Sequence, residues 1–391
     1  MYPFAERVST LESEGAYAVL ARSQALEAQG RKILHLEIGQ PDFATPAHVS
    51  AAAVQAIQAG QTRYNPPAGV PALRALIAKE AGRAHGLEFL PAQVVIGPGA
   101  KPGLFFPTLA LVQAGDEVIY PDPGFPTYKA MIAIAGGVPV PVPLREASGF
   151  SFDLQAFDRA VSKRTRLIVL NSPANPTGGV IPLADLQHIA AKAQEVGAWV
   201  LSDEIYGRLA YDGNQVPSIA SLPGMMERCI IVDGFSKTYA MTGWRLGYTI
   251  MPETLATRVE LLLTHSVGCT ATFTQFAGIE AIEGPQDQVD EMVAEYQRRR
   301  DHIVAGLNAI PGVSCLSPQG AFYVFPNVKS FGKSSSEIAR RLLDEAGVAT
   351  LAGTDFGPYG EGYLRLCYAT SLETIDGALE KMGTFFRSLA K

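Results

Sequence analysis

The stretch IIVDGFSKTYAMTGWRLGY, from Ile230 to Tyr248, is the most informative part of the chain. It begins with an apolar, β-branched run that is typical of a buried strand. Small and polar residues follow and present Lys237, and Arg245 comes eight residues later, just ahead of a second apolar run. The pattern predicts a lysine and an arginine held close together beyond the end of a strand.

This pair of cations suits a particular kind of ligand. A lysine that is partly desolvated keeps more of its neutral amine, which can condense with an aldehyde. An arginine beside it can grip an anion at two points. A phosphorylated aldehyde cofactor needs both groups, and pyridoxal phosphate (PLP) is the obvious example. The alternative is a solvated Lys237 and Arg245 flanking a strand, which is the commoner situation for an isolated pair.

Length and composition predict a soluble enzyme with two domains. A chain of 391 residues is too long for one small core, so a large domain with a smaller one is expected. The net charge of −6 and the lack of a basic stripe argue against nucleic acid as a partner. No apolar stretch reaches membrane-spanning length and the N-terminus lacks the order of a signal peptide, so we expect no membrane partner and a cytoplasmic location.

Cysteine and histidine usage argues against a metal site. The four cysteines are widely separated and match no metal-binding spacing, so free thiols in a reducing compartment are the simplest interpretation. The six histidines form no HxxxH or similar cluster. We therefore predict that the protein holds no metal.

Short apolar runs alternate with helix-length segments through the middle of the chain, which predicts an α/β fold with a mostly parallel, buried sheet. The predicted strands of this sheet are 93–97, 117–120, 167–170, 199–202 and 230–232. Helices are expected over residues 103–113, 183–196 and about 287–308. A smaller α+β segment is predicted to follow, with strands at 320–325 and 363–368.

Three other strand ends carry residues with site-like chemistry. GPGAKPG at 97–103 could bind an anion through its backbone, or form a plain strand-to-helix turn. NSPANPTG at 171–178 contains two X-Pro bonds that could fix an amide side chain, or form an ordinary loop. Asp203 in SDEIY could keep a cofactor's ring nitrogen protonated, or cap a helix. Together with Lys237, these ends would meet at one crevice, where open α/β sheets bind ligands.

In this order, the motifs closely resemble the class I and II aminotransferases of PLP fold type I. The resemblance rests on SKTYAMTGWRLGY at 236–248, NPTG at 175–178, DEIY at 203–206, GQPDF at 39–43, YNPPAG at 64–69 and YLRL at 363–366. It implies a large domain at 46–285 with a mostly parallel sheet of the seven-stranded type. It also implies a small, discontinuous α+β domain, formed by 1–45 and 286–391, that closes over the substrate.

The resemblance also implies the residues that hold the cofactor. Lys237 is expected to carry PLP covalently and to move the proton during catalysis. Asp203 is expected to pair with the pyridinium nitrogen, and Tyr206 and Asn175 to bond the phenolic oxygen of the ring. The other expected cofactor contacts are the phosphate-binding backbone of Gly99, Ala100 and Lys101, the phosphate-binding side chains of Ser236 and Arg245, the ring-stacking Phe125, and Tyr64 reaching in from a neighbouring subunit.

For the substrate, the resemblance implies that Arg365 clamps the α-carboxylate, helped by the Gly39 backbone and Asn175. The implied activity moves the amino group of an L-amino acid to a 2-oxo acid by a ping-pong mechanism. The implied partners are these small molecules and a second copy of the chain, in a homodimer with shared active sites. A PLP-dependent lyase or synthase on the same fold is the alternative, and a non-catalytic regulatory domain would need a DNA-binding extension for which residues 1–40 leave no room.

The amino donor stays open between aspartate and an aromatic or broad range, with 2-oxoglutarate as the expected acceptor. Phe125, where aspartate-specific relatives often have Trp, and the stretch from Ser13 to Tyr17 weaken the case for aspartate. Lys101 matches a position where one aspartate-specific subgroup has a lysine near the distal carboxylate, which restores part of that case. Tyr17 and Phe125 would also suit an aromatic or neutral side chain.

Overall fold

The computed structural model describes residues 4–9, 11 and 14–389, so Ser13 lies outside the described residues. The helices are α1 (Glu6–Ser9), α2 (Gly15–Glu27), α3 (Ala47–Gln58), α4 (Pro71–His85), α5 (Lys101–Leu111), α6 (Thr127–Ile134), α7 (Leu154–Ala160), α8 (Leu183–Val196), α9 (Phe235–Thr238), α10 (Glu253–Thr264), α11 (Thr272–Glu283), α12 (Asp287–Asn308), α13 (Ser335–Arg341) and α14 (Leu372–Leu389). The strands are β1 (Leu34–His35), β2 (Val94–Gly97), β3 (Glu117–Asp122), β4 (Val138–Arg145), β5 (Ser151–Phe152), β6 (Thr165–Asn171), β7 (Trp199–Asp203), β8 (Cys229–Gly234), β9 (Gly247–Ile250), β10 (Tyr323–Val324), β11 (Val348–Ala349), β12 (Leu351–Ala352) and β13 (Leu364–Cys367).

The main sheet has the strand order β2-β9-β8-β7-β6-β3-β4-β5. Strands β8, β7, β6, β3 and β4 pair in parallel, and β9 lies antiparallel between β8 and β2. Seven strands therefore form the body of the sheet, and the two-residue β5 pairs antiparallel with the end of β4. This arrangement confirms the predicted α/β fold with a large, mostly parallel sheet.

Both faces of the main sheet are buried, which explains why its strands are apolar throughout. Along β6, Ile168 and Leu170 enter one hydrophobic cluster while Leu167 and Val169 enter the cluster on the opposite face. Because helices cover each face, successive side chains of a strand are all removed from water. Each such fully buried aliphatic side chain contributes about 1.5–3 kcal/mol relative to its exposed state.

Strand β4 is, with β5 and β9, one of the main-sheet strands that the sequence does not predict, and the reason here is that VPVPVPLR contains three alternating prolines. In a strand, the backbone N–H and C=O groups of successive residues point alternately to its two edges. The N–H of Val138 donates to Asp116 beside β3, whereas the carbonyl of Pro143 faces the other edge and accepts from Asp153. The valines therefore form the ladder with β3, and the prolines lack donors only on the edge that is largely unpaired.

Helix positions agree closely with the sequence prediction. Helix α8 matches the predicted 183–196, and α12 matches the predicted long charged helix. Helix α5 begins at Lys101, two residues earlier than predicted, because Pro102 fits the first turn of a helix, where its missing N–H costs no hydrogen bond.

A second group of strands lies outside the main sheet and carries Arg365. Strand β13 lies between β10 and β12 in an antiparallel sheet, and β1 pairs in parallel with β11. Helices α12 and α14 contribute to the hydrophobic cluster around these strands. The division into domains at 45/46 and 285/286 stays a prediction. Within the described residues, no helix is long and apolar enough to cross a membrane.

Candidate active site

Lys237 lies in α9, directly after β8, and its amine faces several site residues. Nζ donates a hydrogen bond to the carbonyl of Gly39 over 2.7 Å. The same atom lies 5.8 Å and 5.5 Å from the ring centres of Tyr206 and Phe322. A Cβ on Gly39 would lie 2.0 Å from the hydroxyl of Tyr323, so only glycine allows the carbonyl to stand where the lysine reaches it.

The electrostatic surroundings of Lys237 favour its neutral amine. Burial lowers the pKa of Lys237 to about 8, with the positive charges of Arg365 and Arg245 acting in the same direction. An amine with this pKa is partly unprotonated near neutral pH. Lys237 can therefore act as a nucleophile and as a proton acceptor, which an ordinary surface lysine does far less readily.

Asp203 ends β7 and is almost fully buried, with 5 % of its surface exposed. Its Oδ2 accepts from the hydroxyl of Tyr128 over 2.7 Å, and its Oδ1 accepts from the N–H of Ile205. Burial raises the pKa of Asp203 to about 6, although the bond from Tyr128 opposes that rise. Residues 205–208 form a turn and not a helix, so Asp203 does not cap a helix.

Arg365 is a buried cation at the centre of β13. Its guanidinium donates to the carbonyl of Glu37 and, over 3.4 Å, to Oδ1 of Asn175. Its charge centre lies 4.7 Å from the ring centre of Tyr323 and 5.1 Å from that of Phe356. None of the carboxylates in the described part of the chain pairs with it, and its Nε lacks an acceptor there. A buried charge without a counter-ion is costly, so this position suits an anion brought by a ligand.

The strand end before Asn175 is held by its own side-chain bonds. Asn171, the last residue of β6, accepts the N–H of Asn175 over 2.8 Å and donates to the carbonyl of Asp203 over 3.0 Å. The Ser172–Pro173 and Asn175–Pro176 peptide bonds are cis. These contacts fix the Asn175 amide beside Arg365, next to the end of β7.

Tyr206 and Tyr323 form a buried pair of hydroxyls. Their oxygens are 2.7 Å apart, and their rings meet edge to face with centres 5.7 Å apart. Burial raises the pKa of Tyr206 well above its ordinary value, so its hydroxyl stays protonated and able to donate. Since Tyr323 also lies against the guanidinium of Arg365, this pair links the lysine side of the crevice to its arginine side.

A cluster of glycines brings the predicted anion loop close to Arg245. Gly97, Gly247 and Gly234 lie opposite one another across β2, β9 and β8. A Cβ on Gly247 would lie 2.5 Å from the carbonyl carbon of Gly99, and one on Gly99 would lie 2.2 Å from Nη2 of Arg245. Side chains at these positions would push the loop and the arginine apart.

This loop and the neighbouring residue Ser236 offer free hydrogen-bond donors. The N–H groups of Ala100 and Lys101 at the start of α5, and the hydroxyl of Ser236, have no acceptor among residues 4–9, 11 and 14–389. The N–H of Gly99 instead donates to Gly97. Arg245 is exposed and donates to the carbonyls of Thr242 and Pro98. Free N–H groups at a helix N-terminus, beside a guanidinium that has no carboxylate partner, are the usual elements of a phosphate site.

Lys101 and Phe125 lie at the mouth of the crevice. The amine of Lys101 forms an ion pair with Glu14 and lies 5.3 Å from the ring centre of Phe125. Phe125 packs edge to face on Tyr128, the partner of Asp203. Glu14 therefore neutralises the positive charge of Lys101 beside the Phe125 ring.

Tyr64 is the one predicted site residue that does not join the others. Its side chain is 97 % exposed on the isolated chain. Its loop is anchored through the neighbouring Asn65, which donates to the carbonyl of Thr270 over 2.8 Å and to the hydroxyl of Thr272 over 2.9 Å. A large aromatic side chain held on an ordered loop without intramolecular packing is available to another chain.

Four residues of the site carry no motif that identifies them in the sequence. Tyr128 is found only through its bond to Asp203, and Tyr323 only through its contacts with Tyr206 and Arg365. Glu14 and Glu37 come from the N-terminal segment, far along the chain from the groups that they contact. The one usable signal was the aromatic run AFYVF at 321–325, which the sequence marks as a strand.

The chain is similar to known aminotransferases along nearly its whole length. The family model described as aminotransferase class I and II matches residues 31–382. The aspartate aminotransferase of Geobacillus stearothermophilus is 36 % identical over 99 % of both chains, and the aromatic-amino-acid aminotransferase 2 of Thermococcus litoralis is 39 % identical over 91 % of this chain and 92 % of that one. The solved structure of the Thermus thermophilus aspartate aminotransferase with maleate superposes with a TM-score of 0.94 at 37 % identity, covering 98 % of this chain and all of that one.

Proposed function

Because the chain belongs to the class I and II aminotransferase family, we propose that the crevice around Lys237 is where it moves an amino group from an amino acid to a 2-oxo acid. The observation that carries this proposal is the set of three cations, Lys237, Arg245 and Arg365, that lack a carboxylate partner among the described residues. In a protein of net charge −6, these three cations suit two anions brought by ligands, namely the phosphate of a cofactor and the carboxylate of a substrate.

PLP fits the residues that are present. When bound, PLP supplies an electron sink that stabilises negative charge on the substrate Cα. The free N–H groups of Ala100 and Lys101 with Arg245 would hold its phosphate, and the Asp203 carboxylate would hold its ring nitrogen. The buried hydroxyl of Tyr206 would donate to its phenolic oxygen. Among the described residues, no group of three or more His, Cys, Asp or Glu side chains is placed to hold a metal ion.

Two side chains control protons in this proposal. Lys237 accepts a proton from the substrate Cα at Nζ and passes it to the bound cofactor within the same half-reaction, and the second half-reaction moves a proton back along this path. A pKa of about 8 suits both directions. Asp203 is ionised above a pH of about 6 and then stabilises positive charge on the ring nitrogen. The bond from Tyr128 supports this ionised form of Asp203.

Arg365 would bind the α-carboxylate of either substrate. The guanidinium is already oriented by Glu37 and Asn175, so little side-chain freedom is lost on binding. Its five donors also allow a two-point grip that a lysine lacks. A substrate held here would place its Cα near the amine of Lys237, since the Tyr206–Tyr323 pair lies against both cations.

For the side chain, we propose that the enzyme accepts aspartate and aromatic amino donors, with 2-oxoglutarate as the acceptor. The support is the ion pair between Lys101 and Glu14 beside Phe125. With the pair intact, the mouth of the crevice offers an aromatic surface and no net charge. When a substrate carboxylate replaces Glu14 on Lys101, the same mouth accepts an acidic side chain. Relatives named for aspartate and for aromatic amino acids both lie at 36–39 % identity.

The proposed active unit is a homodimer with shared sites, in the cytoplasm. Its support is Tyr64, which is presented to solvent on an anchored loop and would complete the phosphate site of a second copy. A tyrosine hydroxyl adds one donor to those of Arg245 and the α5 N-terminus.

The direct test is a half-reaction with single amino acids. Holoenzyme mixed with aspartate or phenylalanine, without any oxo acid, should convert its cofactor to the amine form and release one equivalent of the matching 2-oxo acid per site. The cofactor absorbance and the released oxo acid report this together. Continued turnover without an oxo acid would indicate a lyase and contradict the proposal, and so would an unchanged spectrum with every donor.

A further inference from the structure

Three ionisable side chains connect the protein surface to the substrate end of the crevice. Glu27 on α2 contacts Nε2 of His35 over 3.0 Å, and Glu37 contacts Nδ1 of His35 over 2.8 Å. The side chains of Glu27 and His35 are 41 % and 36 % exposed, whereas that of Glu37 is fully buried. The second carboxylate oxygen of Glu37 has no partner in the described part of the chain. His35 is therefore the group that compensates the buried charge of Glu37.

The short segment that follows His35 supplies two backbone acceptors to the site. The carbonyl of Glu37 accepts from Arg365, and the carbonyl of Gly39 accepts from Lys237. The cations Arg365 and Lys237 are thus both oriented by one short backbone segment, through Glu37 and Gly39, which follow His35 by two and four residues. A change in the position of this segment would alter the direction of both donors.

We infer that His35 is a positioning residue for substrate binding: its charged contact with Glu37 holds the carbonyl that orients Arg365, and loss of that charge weakens carboxylate binding. This inference rests on the proposed binding of the substrate α-carboxylate by Arg365. It concerns affinity, because His35 touches none of the reacting atoms.

The surroundings of His35 determine the pH at which its charge is lost. Burial alone would lower the pKa of His35, but the hydrogen bonds to Glu37 and Glu27 outweigh that effect and raise it. Of the elements packed on β1, strand β11 carries only Val348 and Ala349, and α14 brings the amine of Lys381 towards Gly347. The two carboxylates are therefore the dominant neighbours, and carboxylate binding should weaken as the pH rises through the pKa of His35.

The test compares His35→Gln with His188→Gln in the holoenzyme. His188 is a matched control, since its Nε2 contacts Asp158 over 2.6 Å and its side chain is 35 % exposed, but it lies on α8. The readouts are kcat, the KM of the amino donor, and the Kd of 3-phenylpropionate, measured from the cofactor absorbance between about pH 6 and pH 9. At the acid end, His35→Gln should raise KM and Kd about fivefold with kcat little changed, as expected when one buried hydrogen bond is weakened.

With rising pH, the wild-type Kd should climb towards that of His35→Gln, whereas His188→Gln should follow the wild type throughout. A lower Tm of His35→Gln with unchanged KM and Kd would reduce His35 to a structural role and overturn the inference. If His35→Gln does not fold, Glu27→Gln provides the second variant. It removes one of the two carboxylates that raise the pKa of His35, so the rise in Kd should begin at lower pH, and an unshifted profile would overturn the inference.

Arg365→Lys separates this inference from the proposed function on which it rests. If Arg365→Lys leaves the Kd of 3-phenylpropionate unchanged, the proposed carboxylate site itself is wrong. If Arg365→Lys weakens binding and His35→Gln does not, only the role of His35 is wrong.

Discussion

Tyr128 donates its hydroxyl hydrogen to Oδ2 of Asp203 over 2.7 Å, and both side chains are buried. The bond opposes the effect of burial, which raises the pKa of Asp203 to about 6. Phe125 packs edge to face on the same tyrosine. One tyrosine therefore connects the aromatic wall of the crevice to the carboxylate proposed for the cofactor's ring nitrogen.

Removal of this hydroxyl should make the enzyme less active in acid. In Tyr128→Phe the ionised form of Asp203 loses a hydrogen bond, so its pKa rises further above 6. The acid limb of kcat/KM should move upward by about one pH unit, the size expected for one charged hydrogen bond. The pH profile of the steady-state rate measures it.

Tyr248→Phe is the matched control, because Tyr248 donates in the same way to Asp233 over 2.9 Å.

Asp203→Asn should keep the fold and lower kcat by roughly two to three orders of magnitude, the usual scale for a preorganised charge. An acid limb that stays in place in Tyr128→Phe, or wild-type turnover by Asp203→Asn, would refute the role of this pair.

Arg365→Lys should weaken every amino and oxo acid together. The change keeps the charge but loses the two-point grip and the bond geometry to Glu37 and Asn175. We expect kcat/KM to fall about 100-fold for aspartate and phenylalanine alike, in the range of a lost charged hydrogen bond pair. Cofactor content, measured by absorbance, should match the wild type, and a loss confined to one donor would argue for a side-chain role.

Glu14→Gln should favour acidic donors. With Glu14 neutral, Lys101 is free to pair with a substrate carboxylate. The ratio of kcat/KM for aspartate to that for phenylalanine should increase about two- to fivefold, as for a partly exposed ion pair. The exposed Glu283→Gln serves as the control. If the ratio is unchanged, Lys101 does not meet the substrate side chain.

Shared sites predict complementation between two impaired variants. A mixture of Tyr64→Phe and Lys237→Ala subunits forms heterodimers with one doubly altered site and one unaltered site. Once subunit exchange has been verified by mass spectrometry, the mixture should exceed the summed activity of the separate proteins. A mixture that gains no activity, or a fully active monomer in solution, would show that Tyr64 serves no neighbouring site.

The sequence predicts the sheet well because burial on both faces leaves a strong pattern. Ile168 and Leu170 on one face, with Leu167 and Val169 on the other, make β6 a continuous apolar run. Strand β4 is not predicted because proline is normally excluded from the interior of a sheet. Only its position beside β3 shows that the proline edge of β4 makes few hydrogen bonds and therefore needs few N–H donors. Local pattern therefore identifies β2, β3, β6, β7 and β8, and it misses β4, whose pairing is largely one-sided, together with the short β9.

The site divides in a similar way. Lys237, Asp203 and Asn175 follow strand ends and carry recognisable motifs, so the sequence indicates them. Tyr128 and Tyr323 act through contacts over long sequence separations, 75 residues for Tyr128 with Asp203 and 117 for Tyr323 with Tyr206. Such pairs leave no local signal, because each tyrosine resembles an ordinary core aromatic residue until its partner is located.

The most direct test of the central claim is to locate the covalent attachment of the cofactor. Holoenzyme is reduced with borohydride and digested, and the pyridoxyl-labelled peptide is identified by mass spectrometry. The account predicts one label per chain, on Lys237, whose amine has a pKa lowered to about 8 by burial. Lys237→Ala should carry no label while still retaining some cofactor through its phosphate contacts. A label on Lys101 or another lysine in the wild type, with Lys237 unmodified, would contradict the account.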